Sequence, residues 1–277
     1  MSRKYTDEQL ENHRQEALKY FEEQKKTLKE ELHPAVDTTI QQVKDKSYDE
    51  LDNDMQQGEL RNDFDKHVEQ IVYFGQGKWR NKTRKVTKEE METDEFVELL
   101  KKLEATLIVQ NAFGLSAVQI GDDRDVMCFP KQGEDGSFSG MNFMINAEII
   151  EKSKETWKFD EGCLTFTGVN FEGIERPRQI TVRYLDVNGD EKEETYGVIA
   201  PELNNEDYVN KFLDKKFEVD DGWSIWHSRV IQHEVEHNQG QSILDHFGPV
   251  RRMLLQNKFM KRWNNAQKML KKKGINI

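Results

Sequence analysis

Residues 232–240 read Gln-His-Glu-Val-Glu-His-Asn-Gln-Gly, and the HExxH within them decides how the rest of the chain is read. On a helix, His233 and His237 are four apart and leave one face together, near enough to share a metal ion. Glu234 stands one step round, where a carboxylate can reach a water at the same ion. Trp226, Val230 and Ile231 just upstream suit a helix buried in a domain. The plainer alternative is a helix with two surface histidines, so the remaining ligand has to be found.

Catalytic zinc sites usually combine three protein ligands with one open position. The extended peptidase pattern HExxHxxGxxH would supply the third ligand downstream. Gly240 fits that frame, but its last position is Ile243, which has no donor atom. No Asp or Glu occurs between His246 and Ile277, which leaves only Asp245 and His246 as local competitors. The third ligand is therefore expected upstream, where the two cysteines are Cys128 and Cys163. Cys163 lies in Phe159-Asp160-Glu161-Gly162-Cys163-Leu164-Thr165, beside a glycine that lets backbone approach closely. A thiolate there is a soft ligand for zinc or ferrous iron. Cys128 lies in the apolar run Asp125–Pro130, which looks like a strand, and is expected to pack as a small core residue. A third segment, Asn111 to Gly121, joins a helical stretch to a strand through small residues and the amide of Gln119.

Taken together and in this order, AFGLSAVQ, EGCLT and QHEVEHNQG resemble the GxGxAAxQ, EGCLS and QHExDHxxG motifs of peptide deformylase. Met144–Glu148 resembles the strand before the family's cysteine motif, and Arg176–Val182 with Asp186–Gly189 resembles the hairpin after it. The likeness runs over about residues 75–255. It implies an α+β domain, with antiparallel β-sheets around a central helix that bears the HExxH. It also implies removal of the formyl group from N-terminal formylmethionine of nascent chains. By motif position the implied metal ligands are Cys163, His233 and His237. Glu234 is the implied base, Gln119 and the Leu164 N–H the implied oxyanion donors, and Gly114 the contact to substrate backbone. The family resemblance points to Fe2+ as the working ion, with Zn2+, Ni2+ or Co2+ able to occupy purified protein.

Several positions depart from the family pattern. Ala112 stands for the first motif's opening glycine, Ser116 for an alanine, and Thr165 for a serine. Thr167 stands where proline is common, Glu236 for the usual aspartate, and Asn238 for a common leucine. None removes a ligand or the base. The stretch Gly197–Asp221 is longer than expected and is read as a surface insertion shaping the mouth of the cleft. A tight cavity at the metal would admit formyl and exclude acetyl, and Phe113, Trp226 and Val230 are candidate walls for the methionine side chain.

The 277 residues exceed one such domain, which leaves flanking regions at both ends. Residues 1–73 are read as an N-terminal helical extension, 74–250 as the catalytic body and 251–277 as a basic helix. Thr6-Asp7-Glu8-Gln9 fits a capping box, and Pro34 ends that first helix. A second helix is expected from Ser47 through Leu51, Met55, Leu60 and Phe64 to Val68 and Val72. Residues 251–277 carry +9 against −11 for the whole chain, leaving −20 on residues 1–250. Met253, Met260, Trp263 and Leu270 recur at helical spacing there, predicting an amphipathic basic helix that either packs on the acidic body or contacts the ribosome. No apolar run approaches the ~20 residues of a membrane span, and no secretory signal opens the chain. A reducing cytoplasmic setting is expected, with neither membrane nor DNA as partner. An HExxH zinc peptidase and a silent deformylase-shaped binding module are the competing readings.

Overall fold

A computed structural model describes residues 67–76, 79–132 and 138–272. In chain order the elements are α1 (Lys88–Met91), α2 (Asp94–Gln110), β1 (Leu115–Ser116), β2 (Val126–Gln132), β3 (Phe138–Lys152), β4 (Thr156–Glu161), β5 (Phe171–Pro177), β6 (Gln179–Leu185), β7 (Glu191–Gly197), α3 (Asn205–Leu213), α4 (Val219–Asn238) and α5 (Pro249–Lys272). Three 3-10 turns lie at Ala117–Ile120, Leu164–Phe166 and Ile243–His246.

The order β1-β2-β3-β6-β7 makes one antiparallel sheet, and β4-β5 makes a separate hairpin. Strand β2 shows why the core has two layers. Its side chains alternate faces, as a strand's must. Val126 and Cys128 pack with Phe96, Leu99, Leu103 and Leu107 of α2, which repeat at helical spacing. Met127 and Phe129 point the other way, onto Val230, Ile231 and Val235 of α4. The motif helix is thus central, with β2 pressed between two helices. Helix α2 starts at an N-cap, Thr93, whose Oγ1 accepts the Phe96 N–H at 3.3 Å. It stops at Asn111, whose φ of 48° gives the left-handed turn common at helix ends.

Two expectations need correction. Val68 and Val72 do not lie on a helix, since the chain from 68 to 73 is irregular. Its groups are used elsewhere: Ile71 is buried, and the Val72 N–H bonds Gln119 O at 2.7 Å. The expected helices at residues 6–34 and 47–66 lie outside the described residues. In α5 the docking face is not the predicted stripe. Phe259 is buried, and Leu255 and Trp263 pack beside it on Phe166, Phe171 and Phe247. Met253 and Met260 instead face solvent, at 53% and 37% exposure. The spacing of four from 255 to 263 meets the aromatic cluster, whereas the spacing of seven from 253 to 260 runs down the other side. Trp263 alone belongs to both sets, and the side chain of Leu270 lies outside the described residues.

The segment after β7 is a built part of the body rather than a loose surface loop. The buried Arg178 guanidinium donates to the carbonyls of Ile199, Ala200 and Leu203 at 3.1, 2.6 and 2.8 Å and stacks on Tyr208. Tyr208 in turn donates to Val198 O at 2.8 Å. Helix α3 then lies on β4 and carries Phe212 to the upstream half of α4.

Candidate metal centre

Strand β4 ends at Glu161, and Gly162 carries the chain to Cys163, which opens a 3-10 turn. This brings the thiol under the last turns of α4. Cys163 Sγ lies 3.2 Å from His237 Nε2, and donor atoms of Cys163, His233 and His237 all fall within 4.8 Å of one another. The expected trio is therefore assembled from two distant stretches of chain. The competitors do not join it: Asp245 pairs with Arg80 and Arg252, and His246 with Glu236.

His233 is oriented by a buried carboxylate. Its Nδ1 lies 2.9 Å from Glu161 Oε2, which leaves Nε2 free to face an ion. Glu161 also receives Nε and Nη2 of Arg176 at 2.6 and 2.9 Å, and Arg176 continues to Glu236 at 2.7 Å. Burial opposes charge on Glu161, but Arg176 and His233 outweigh it and hold the carboxyl far below its ordinary range. Burial likewise opposes ionisation of the Cys163 thiol, yet the neighbouring imidazoles of His237 and His233 bring its pKa down to about 5. Cys128 is the contrast. Burial in β2, aided by the negative charge of Glu234, pushes its thiol well up, as suits a packing residue.

Glu234 and Gln119 face the same spot from different elements. Burial raises the Glu234 carboxyl above its ordinary range, and its buried Oε2 has no hydrogen-bond partner among the described residues. The Gln119 amide has a fixed orientation because its Oε1 accepts the Ser116 N–H at 2.9 Å. Its Nε2 is thereby turned toward Cys163 Sγ, at 3.9 Å, and Thr165 Oγ1, at 3.5 Å. Leu164 is the first residue of its turn, so that turn makes no use of its N–H. Gly114 touches the base directly: a Cβ there would sit 2.6 Å from both Glu234 Oε1 and Val230 Cγ1. The three expected wall residues gather at the same end, with Val230 buried and Phe113 edge-on to Trp226 at 4.9 Å.

Two of the departures from the family motifs compensate each other. Ser116 donates to Asn238 Oδ1, and Asn238 Nδ2 donates to Asp125 at 2.7 Å, so two unusual residues form one buried chain. The longer Glu236 reaches Arg176 and His246 together. Thr167 takes φ −43°, about 20° from the angle that a proline ring fixes. Ala112 needs no glycine, because the left-handed residue is Asn111. What sequence reasoning missed is the support around the ligands, namely Glu161, Arg176 and Arg229. The one available signal was an arginine inside the apolar run Ile225–Ile231.

The profile of a family described as Polypeptide deformylase matches residues 68–206. That span holds Gln119 and Cys163 but stops before α4, whose histidines the fold brings to the same place. A peptide deformylase of Pseudothermotoga lettingae is 30% identical over 201 residues, covering 73% of this chain and 95% of its own length. The crystal structure of peptide deformylase from Ehrlichia chaffeensis covers 72% of this chain and 98% of its own, with TM-score 0.55 at 24% identity. A class I type b peptide deformylase from Acinetobacter baumannii, solved with Met-Ala-Ser bound, covers 65% and 98%, with TM-score 0.51 at 21% identity. The chain belongs to the polypeptide deformylase family and is a hydrolase with that family's α+β fold.

Proposed function

We propose that the chain hydrolyses the formyl group from the N-terminal formylmethionine of new polypeptides and releases formate, using one divalent ion held by Cys163, His233 and His237. The observation that carries this reading is the convergence of those three donors beside an unpartnered Glu234 carboxylate oxygen. A low-pKa thiolate with two imidazoles is a donor set that suits Fe2+ or Zn2+. We take Fe2+ as the working ion, with Zn2+, Ni2+ or Co2+ as occupants of purified protein. A divalent ion there supplies Lewis acidity and turns water into a nucleophile near neutral pH.

The chain's own residues do the rest. Glu234 accepts the proton of the attacking water, and its raised proton affinity brings it nearer the working pH. The Gln119 amide and the Leu164 N–H donate to the oxyanion that develops on the formyl oxygen, an arrangement that needs no reorientation. Glu234 then returns its proton to the leaving amine. Gly114 lets the substrate backbone lie against the helix, and Phe113, Val230 and Trp226 wall the first side chain. The Met-Ala-Ser bound to the Acinetobacter relative fits this substrate class.

We read residues 74–250 as the catalytic body and the basic stretch 251–277 as a contact to the ribosome. The outer face of α5 carries exposed Val250, Met253 and Leu254 among its basic residues. Among the described residues no helix is long and apolar enough to cross a membrane, and we assign the protein to the cytoplasm. Ribosome cosedimentation that weakens with salt and disappears on truncation after Val250 is expected; binding unchanged by the truncation removes this assignment.

Mass spectrometry of formyl-Met peptides tests the activity. Loss of formyl is expected, whereas internal cleavage would indicate a peptidase and no change a silent binding module. Glu234→Gln should lower kcat/KM by about 10²–10⁴ while metal content stays intact. A near-parental rate in that variant would show that another group acts as base.

A further inference from the structure

Three buried polar side chains form one hydrogen-bonded line beside the metal centre. Asn238, directly after His237, donates from Nδ2 to Asp125 Oδ1 at 2.7 Å, and its Oδ1 accepts the Ser116 hydroxyl. Lys85 Nζ donates to Asp125 Oδ2 at 2.8 Å and carries the line to the surface. Ser116, Asp125 and Asn238 are 0%, 6% and 4% exposed, so the inner length of the line is shut off from water. A buried polar group without a partner is strongly destabilising, so such a line holds only while each member is answered.

The line has one direction, and Asp125 sets it. An ionised carboxylate only accepts hydrogen bonds, so Asn238 must turn Nδ2 toward it. That leaves Asn238 Oδ1 facing Ser116, whose hydroxyl then has to donate. Asp125 is fixed by its own backbone, since its N–H donates to Arg84 O and its carbonyl accepts the Asn146 N–H, each at 2.8 Å. The end of α4 is fixed as well, because the Asn238 carbonyl accepts both the N–H and the hydroxyl of Thr83 at 2.9 Å.

At its inner end the line meets the oxyanion donor. The Ser116 N–H donates to Gln119 Oε1 at 2.9 Å, the contact that turns Gln119 Nε2 toward Cys163 and Thr165. Strand β1, which carries Ser116, is two residues long and lies at the edge of its sheet, paired with β2 alone. The hydroxyl bond to Asn238 ties this short segment to the last residue of α4. The spacing between Gln119 on one element and His237 on another therefore runs through Ser116 and Asn238.

We propose that Asp125, Asn238 and Ser116 are positioning residues for the hydrolytic step, locking the Gln119 amide to the helix turn that carries His237. All three act through Gln119. This rests on the deformylase reading above and names what holds its oxyanion donor in place. The alanine and leucine that the family motifs carry at positions 116 and 238 could not form this line, so the device belongs to this chain's version of the site.

The test measures kcat and KM on a formyl-Met tripeptide for the metal-loaded protein with Asn238→Leu, with Gln119→Ala and with both. Gln119→Ala is expected to lower kcat by about 10²–10³, and Asn238→Leu, which leaves the donor misplaced, by about tenfold at nearly constant KM. In the Gln119→Ala background Asn238→Leu should lower kcat by less than about twofold, because the group it positions is gone. Asp125→Asn keeps the shape but lets the Asn238 amide turn over, and should share the loss in kcat. An equal loss in both backgrounds would assign Asn238 to stability alone and overturn the proposal, as would a parental kcat in Asn238→Leu. Should Asn238→Leu fail to fold, Ser116→Ala, which removes a single hydroxyl, gives the same comparison. Nuclear magnetic resonance of the zinc-loaded protein supplies a readout without turnover. The Gln119 side-chain amide is expected to give a sharp pair of proton signals in the parent and a motionally broadened pair in Ser116→Ala and Asn238→Leu. If no peptide is deformylated yet the broadening is seen, the activity reading fails and the positioning stands; equally sharp signals in both variants refute the positioning.

Discussion

Helix α4 builds two different surfaces from one stretch of chain. Its C-terminal half presents His233, Glu234 and His237 to Cys163 and Gln119, each from a recognisable motif. Its upstream half presents Trp226, His227 and Arg229 to aromatic residues of β2, β4 and α3, none of which belongs to a motif. The first surface gathers donor atoms at one point, while the second packs bulky rings around a buried charge. One helix thus carries residues whose shared face follows from their spacing beside residues whose partners are set only by the fold.

Acid should break the upstream half first. Burial holds His227 neutral, with its pKa lowered to about 4 from 6.5, while Nε2 donates to Pro130 O at 3.1 Å. The unfolded chain therefore takes up a proton that the folded chain refuses. This stabilisation is complete above pH 6.5, shrinks as pH falls toward 4, and amounts to about 3 kcal/mol. Urea denaturation near pH 7 and near pH 4.5 measures it, and His227→Gln should lose less stability between the two than the parent. Equal losses would place the acid sensitivity elsewhere.

The catalytic half is broken by one methyl group. In Gly114→Ala the new Cβ would lie 2.6 Å from Glu234 Oε1 and Val230 Cγ1, so the base or the loop must shift. Misplacement on that scale costs about 10²-fold in kcat/KM. Steady-state kinetics checks this, with metal content and thermal midpoint expected near the parent. A variant within tenfold of the parent would mean that the loop gives way without moving Glu234.

The smallest effect sharpens the comparison, because it concerns two replaced motif residues that act as one. Ser116 and Asn238 share a buried hydrogen bond. A double-mutant cycle of Ser116→Ala and Asn238→Leu, read by chemical denaturation, should give a coupling of about 1 kcal/mol. Simple additivity would show that the pair is coincidental.

Much of the catalytic half was legible because its chemistry needs certain atoms at certain spacings. Two imidazoles four apart leave a helix together, and a lone thiol beside a glycine is a distinctive partner. Helix α5 was read less well. Its apolar residues repeat at both four and seven, and only the aromatic cluster around Phe166 selects the face with Phe259. The stretch before residue 74 misled for a related reason. Val68 and Val72 have helical spacing, but the Val72 N–H is claimed by Gln119 O across the fold. The role of Glu161 was hidden because a carboxylate next to a glycine carries no mark of its partner, here His233 Nδ1.

By itself the sequence determined the family, the α+β architecture and which donors would meet, since motif residues act through local spacing along the chain. Tertiary structure alone decided the rest. Arg176 and Arg178 are two residues apart, yet one serves the carboxylates around His233 and the other gathers carbonyls of the segment after β7. Partners such as these lie far along the chain and meet only when the strands pair and the helix packs, so no local pattern records them.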